Sequence, residues 1–134
     1  MSKQENVATA AGESPFKGKT GIRRLINATG YSIDGFRAAW HHESAFRQVC
    51  LLAGAGIGLS FWLTLPPWGR ALIAFAHLIS VIVELLNSAV EAAVDHTSLD
   101  HHLLAKRAKD LGSAAQLASL VNAAIIWAIV LLNR

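Results

Sequence analysis

Glu84, Asn87, Ser88 and Glu91 interrupt a segment that is otherwise leucine, isoleucine, valine and alanine. Glu84 to Glu91 is two helical turns, and Asn87 or Ser88 fills the turn between, so these side chains form one polar stripe on a helix. Asp95 continues it near the helix end. An ionisable group at mid-membrane costs about 2.5–3.5 kcal/mol even on the lenient insertion scale, so two on one helix must face other helices, a metal ion or an aqueous cavity. Polar residues that only glue helices together would also satisfy that demand.

Two further clusters extend the chemistry. Lys106-Arg107-Ala108-Lys109-Asp110-Leu111-Gly112-Ser113 is a basic run just before the last apolar stretch. It reads as a topology anchor snorkelling to headgroups, or as a cationic grip on phosphate. A third acid, Glu43, stands in His41-His42-Glu43 before the first apolar stretch. Carboxylates to hold a divalent ion, a base to take an alcohol proton and a lysine to neutralise phosphate are the parts of phosphoryl transfer. A proton-coupled carrier would use similar residues, and a non-catalytic assembly subunit could carry them as glue. Two other signals are set aside. Gly18-Lys19-Thr20 resembles the end of a P-loop, but the first glycine of that motif would fall on Glu13. His96, His101 and His102 with Asp100 have no recognised zinc spacing.

The elements that position these residues follow from composition. Of 134 residues, 53% are hydrophobic and only 16% charged, below the roughly 25% charged of a soluble domain. Apolar stretches run from Val49 to Leu65, ended by Pro66-Pro67, from Ala71 to Val94, and from Ala114 to Leu132. Each approaches the ~20 residues of a transmembrane helix, and Trp62, Trp68 and Trp127 lie near their ends as interfacial tryptophans do. Spans are expected at residues 48–66, 70–95 and 113–132. Gly54, Gly56 and Gly58 in the first span, and Ala114, Ala115 and Ala118 in the third, suit close helix approach.

Ahead of the spans, Ile22, Leu25, Ile26, Thr29, Ile33, Phe36 and Trp40 recur at helical spacing, with Arg23, Arg24, Asn27, Asp34 and Arg37 between them. This predicts an amphipathic helix at residues 21–45 lying in the membrane interface. Gly30 and Gly35 weaken it as one straight helix. Residues 1–20 are polar and read as a flexible tail without a signal-peptide core. The single Cys50 forms no internal disulfide and leaves the redox compartment open. Ten of the twelve basic residues fall before the first span or between the second and third. With three spans these regions share one side, which the positive-inside rule makes cytoplasmic, where ATP is available.

Beyond these patterns, longer strings are specific. Gly30-Tyr31-Ser32, Gly35-Phe36-Arg37-Ala38-Ala39-Trp40, Glu43 and Ala45-Phe46-Arg47-Gln48 form one block. Val83-Glu84-Leu85-Leu86-Asn87-Ser88-Ala89-Val90-Glu91-Ala92 forms a second, and Arg107-Ala108-Lys109-Asp110-Leu111-Gly112-Ser113-Ala114-Ala115 a third. Together, over residues 21–134, they resemble the prokaryotic diacylglycerol kinase family of integral membrane lipid kinases.

The resemblance implies an all-α membrane protein. One surface helix and three transmembrane helices per chain would assemble into a homotrimeric bundle, with active sites shared between neighbouring chains. The implied activity is ATP-dependent phosphorylation of diacylglycerol at the cytoplasmic face of the bacterial inner membrane. By resemblance Glu84 is the general base, and Glu43 and Glu91 hold magnesium. Tyr31, Glu43, Glu91, Asp100, His102, Lys109 and Asp110 are nucleotide contacts. Arg24, Arg37, Arg47, Glu84, Asn87 and Ser113 are lipid-side or positioning residues. The expected partners are the lipid, ATP and further copies of the chain, with no nucleic acid. Two positions depart from the family pattern: Val49 stands where an acid usually follows Phe-Arg-Gln, and Asp100 stands where glutamate is expected. A related branch phosphorylates undecaprenol instead; the Gly-Tyr-Ser and Arg-Ala-Ala-Trp runs favour diacylglycerol. Outside the family, a small transporter using the Glu84–Glu91 stripe is the competing expectation.

Overall fold

The computed structural model describes residues 21–97 and 102–134, which form four α-helices: α1 (Ile22–His42), α2 (Ser44–Trp62), α3 (Pro67–Thr97) and α4 (Leu103–Leu132). The N-terminal tail and Asp100 lie outside the described residues. Three helices are long and apolar enough to cross a membrane, Ser44–Trp62, Pro67–His96 and Leu103–Leu132. The protein is therefore an all-α membrane protein with three spans.

Helix α1 begins after Gly21, whose φ of 72° is a left-handed conformation that glycine adopts without steric cost. Gly30 and Gly35 do not interrupt the helix. Thr29 and Ser32 hydroxyls donate to the Leu25 and Ala28 carbonyls one turn back. Ile22, Leu25 and Ile26 are exposed.

The chain turns at Glu43, which takes extended angles (φ −109°, ψ 108°) and stands at the N-cap of α2. The Arg47 guanidinium reaches back to the carbonyls of Trp40 (2.7 Å) and His41 (3.4 Å), acceptors that the end of α1 leaves unpaired. Phe46 packs against Phe36 and edge-on against Trp40, with ring centroids 6.3 and 6.5 Å apart. At the other end of α2, Pro67 supplies the first residue of α3, where its missing N–H and fixed φ suit a helix start. Arg70 closes this corner by donating to the carbonyls of Ser60 (3.2 Å) and Leu63 (3.5 Å), and its guanidinium lies 5.8 Å from the Phe61 ring centre. Leu65, Ile73 and Val130 form a buried cluster here, with Leu63, Ile126 and Trp127 around it.

Helix α3 packs against both α2 and α4. At about 1.5 Å per residue, its 31 residues extend about 46 Å and the 30 of α4 about 45 Å. Both exceed a hydrocarbon core of about 30 Å. Helix α4 starts ten residues before the expected span, so Lys106, Arg107, Lys109 and Asp110 ride on the helix. His102 caps it, its Nδ1 accepting from the Leu104 N–H at 3.3 Å.

Candidate active site

The register between α3 and α4 is set by two glycines. A side chain at Gly69 would run into Val130, and one at Gly112 would run into Asn87. The helices are therefore antiparallel and closest where glycine allows it. A third glycine, Gly56, gives α2 room against the His77 imidazole.

On α3 the buried or half-buried positions His77, Ser80, Glu84, Asn87 and Glu91 alternate by three and four residues. That spacing is a seam of the kind helical bundles use, but its side chains are polar. On α4 the matching seam is Gly112, Gln116, Ser119, Ala123, Ile126 and Val130. Beyond Gly56, close helix approach within the chain is made by glycines that the small-residue runs did not single out. Gly54 and Gly58 have open space around them, and Ala114, Ala115 and Ala118 are exposed.

Glu84 is 3% exposed and makes no side-chain hydrogen bond or ion pair among the described residues. It lies within electrostatic reach of Glu91 and Glu43. Asn87, one turn on, donates from Nδ2 to Glu91 Oε1 at 3.3 Å, while its buried Oδ1 has no partner among the described residues. Glu43 makes no capping hydrogen bond with its carboxylate and is half-buried. Lys109 meets Asp95 at 2.6 Å across the α3–α4 hairpin, and Lys106 meets Asp110 at 2.7 Å along α4. Glu43, Glu84, Glu91 and Lys109 thus belong to one end of the bundle. Among the described residues, no three His, Cys, Asp or Glu side chains form a metal cage.

Other predicted residues lie elsewhere or already have partners. Arg47 holds the α1–α2 corner, and His102 caps α4. Arg37 and Ser113 are exposed, as are Arg24 and Tyr31 on the first half of α1. Val49, at the departure from the family pattern, is buried on α2.

Helix length places these residues relative to the bilayer. About twenty residues span the hydrocarbon core. Counted from Pro67 that distance reaches Asn87, and counted back from Leu132 it reaches Ser113. Asn87 and Gly112 touch, so both counts end at one level. Glu84 then lies one turn to one side of that level along the hairpin, and Glu91, Asp95 and Lys109 lie to the other.

The sequence reading did not single out five buried polar residues, Ser60, His77, Ser80, Gln116 and Ser119. His77 is 4% exposed, and its Nε2 accepts from Trp127 Nε1 at 3.0 Å. Gln116 and Ser119 are also buried and are joined by a 3.2 Å hydrogen bond. The heptad step back from Glu84 is the signal that would have found His77.

Comparison with known proteins gives concordant matches. Residues 30–131 match the family model described as prokaryotic diacylglycerol kinase. A diacylglycerol kinase of Pseudomonas aeruginosa is 52% identical over 120 residues, covering 90% of this chain and 98% of that protein. The Escherichia coli K12 diacylglycerol kinase is 44% identical, covering 84% and 92%. One from Helicobacter pylori is 47% identical, covering 80% and 84%.

Proposed function

This chain belongs to the prokaryotic diacylglycerol kinase family, and from that premise we propose that it phosphorylates diacylglycerol with ATP at the cytoplasmic face of the inner membrane. The observation that carries the reading is the position of Glu84, a buried carboxylate without a hydrogen-bond partner among the described residues, one turn from the Asn87–Gly112 approach and within reach of two further acids.

The lipid's hydroxyl lies at the headgroup boundary, and Glu84 meets it there. As the hydroxyl oxygen attacks the γ-phosphorus of ATP, Glu84 takes its proton. The new O–P bond forms as the bond to the β-phosphate oxygen breaks, giving phosphatidic acid and ADP. Burial of Glu84 keeps bulk water from competing as acceptor.

Glu43 and Glu91 suit magnesium. Both are hard oxygen donors, Glu43 is not consumed in capping α2, and Mg²⁺ is normally held by one or two carboxylates plus substrate phosphates rather than an all-protein cage. When bound, the ion neutralises the β- and γ-phosphate oxygens. Asn87 orients Glu91 through their hydrogen bond. Lys109 supplies positive charge to the phosphates by exchanging Asp95 for them. Tyr31, Asp100, His102 and Asp110 complete the nucleotide contacts, while Arg24, Arg37, Arg47 and Ser113 serve the lipid side.

The working unit is a homotrimer with sites between chains. The exposed small residues Gly54, Gly58, Ala114, Ala115 and Ala118 support this, because they permit close approach of a second chain. Incubating the purified protein with γ-labelled ATP and a panel of lipid alcohols tests the reading. Label should enter phosphatidic acid, with diacylglycerol preferred over undecaprenol. Label confined to undecaprenyl phosphate would move the chain to the other branch. No lipid labelling would leave the polar seam to transport or assembly.

A further inference from the structure

The α3–α4 register that joins Asn87 to Gly112 and Gly69 to Val130 brings a second pair level. One turn from the Asn87–Gly112 contact, α3 presents Glu84 and α4 presents Gln116. Both are buried, at 3% and 8% exposure.

Their hydrogen-bonding states are complementary. Ser119 Oγ donates to the Gln116 main-chain carbonyl at 2.8 Å and shares that proton with Gln116 Oε1 at 3.2 Å, so the oxygen edge of the amide faces Ser119. The other edge, Nε2, is fully buried and has no partner among the described residues. It carries two donor protons and cannot accept. Glu84, when ionised, accepts only, and has no donor among the described residues. A buried donor left unmade costs about 1–3 kcal/mol, and more is lost when the unpaired group is charged.

We propose that Gln116 is a positioning residue for Glu84, donating from Nε2 across the α3–α4 seam and fixing the direction in which the carboxylate meets the lipid hydroxyl. This rests on the reading of Glu84 as the base. Gln116 touches neither substrate; its effect passes through Glu84. The other charges acting on Glu84 are Glu91 on α3 and Glu43 at the head of α2. Both are acids and neither can donate as a carboxylate. The α4 seam facing this level offers Gln116 and Ser119, both uncharged. Among the described residues, Gln116 Nε2 is the buried side-chain donor on α4 that lacks a partner. Asn87 Oδ1 is a second acceptor without a partner, and the experiment separates it from Glu84.

The test is a double-mutant cycle in full-length protein reconstituted in bilayers, with activity expressed per folded protein. Gln116→Met keeps length and volume without the donor. It should lower kcat about tenfold, the scale of one hydrogen bond to a charged group, and leave the KM for ATP unchanged. In a Glu84→Gln background the same change should have no further effect, because the residue through which it acts is gone. Ser119→Ala, which frees the amide to turn, should give a smaller loss of the same kind. Gln116→Leu repeats the measurement if the methionine variant yields too little folded protein. An unchanged kcat would overturn the proposal. So would an equal loss in both backgrounds, which would assign Gln116 to packing or to Asn87. A Glu84→Gln single variant of full activity would overturn the base assignment, and the proposal with it, in a separate arm of the cycle.

Discussion

Replacing Glu84 by glutamine keeps volume and hydrogen-bonding reach but removes the carboxylate. The expected outcome is a fall in phosphorylation of about 10²-fold or more, the scale of losing a general base, with ATP binding and folded yield intact. The protein should even gain stability, since a charge is removed from a costly environment. Glu91→Gln should differ in kind. With one of two proposed ligands gone, the magnesium concentration for half-maximal rate should rise, and excess magnesium should restore part of the rate. Measuring folded yield and specific activity for both variants across a magnesium series decides between these roles. Near-normal rates in both would make the glutamates structural. A folded Glu84→Gln enzyme of near-normal rate would shift attention to Asp95. That carboxylate is paired with Lys109 at 2.6 Å, so it would have to leave its partner before it could accept a proton.

Between elements, what matters is how closely the helices approach. Asn87 occupies the space that a side chain at Gly112 would need, so Gly112→Val should force α3 and α4 apart and displace Asn87 from Glu91. A destabilisation of about 1–3 kcal/mol is expected from such overpacking, read as a lower unfolding midpoint in mild detergent. Gly54→Ala meets open space in the chain and should leave chain folding unchanged. A midpoint that falls equally in both would refute the register as the cause. This contrast also shows what a sequence can and cannot display. The three spans were legible because apolar length alone signals them, and Glu84 and Glu91 were legible because charge is costly there. The start of α4 at Leu103 was hidden because Lys106 to Asp110 lowers hydrophobicity, although the Lys106–Asp110 pair at i,i+4 favours helix. The pairing of Asn87 with Gly112, and of His77 with Trp127 fifty residues away, depends on how two helices align along the hairpin. No local pattern specifies that alignment. Gln116 is one polar residue in an apolar run until the register sets it level with Glu84.

For the whole molecule the question is what covers the apolar and small-residue faces that one chain leaves open, and which way the bundle points. A homotrimer would cover those faces, and crosslinking or native mass measurement in mild detergent should find three chains; a fully active monomer would contradict sites shared between chains. Orientation is tested independently. The α2–α3 corner carries Arg70 as its one basic residue, and its guanidinium is engaged with Ser60, Leu63 and the Phe61 ring. Arg70 is therefore a single positive charge on that side. The opposite end carries Lys106, Arg107 and Lys109 on the extended start of α4, joined by Arg37 and Arg47 ahead of or at the start of α2. The asymmetry should hold that end in the cytoplasm. Position 64 is exposed at the α2–α3 corner and position 104 is exposed in the first turn of α4, so both accept a cysteine without disturbing packing. Position 69, though in the same corner, does not, because Gly69 is packed against Val130. In a Cys50→Ala background, a membrane-impermeant thiol reagent added to spheroplasts should label Thr64→Cys and leave Leu104→Cys unlabelled until the membrane is opened. The reverse pattern would place Glu91 and Lys109 on the side without ATP and would remove the topological support for the kinase chemistry.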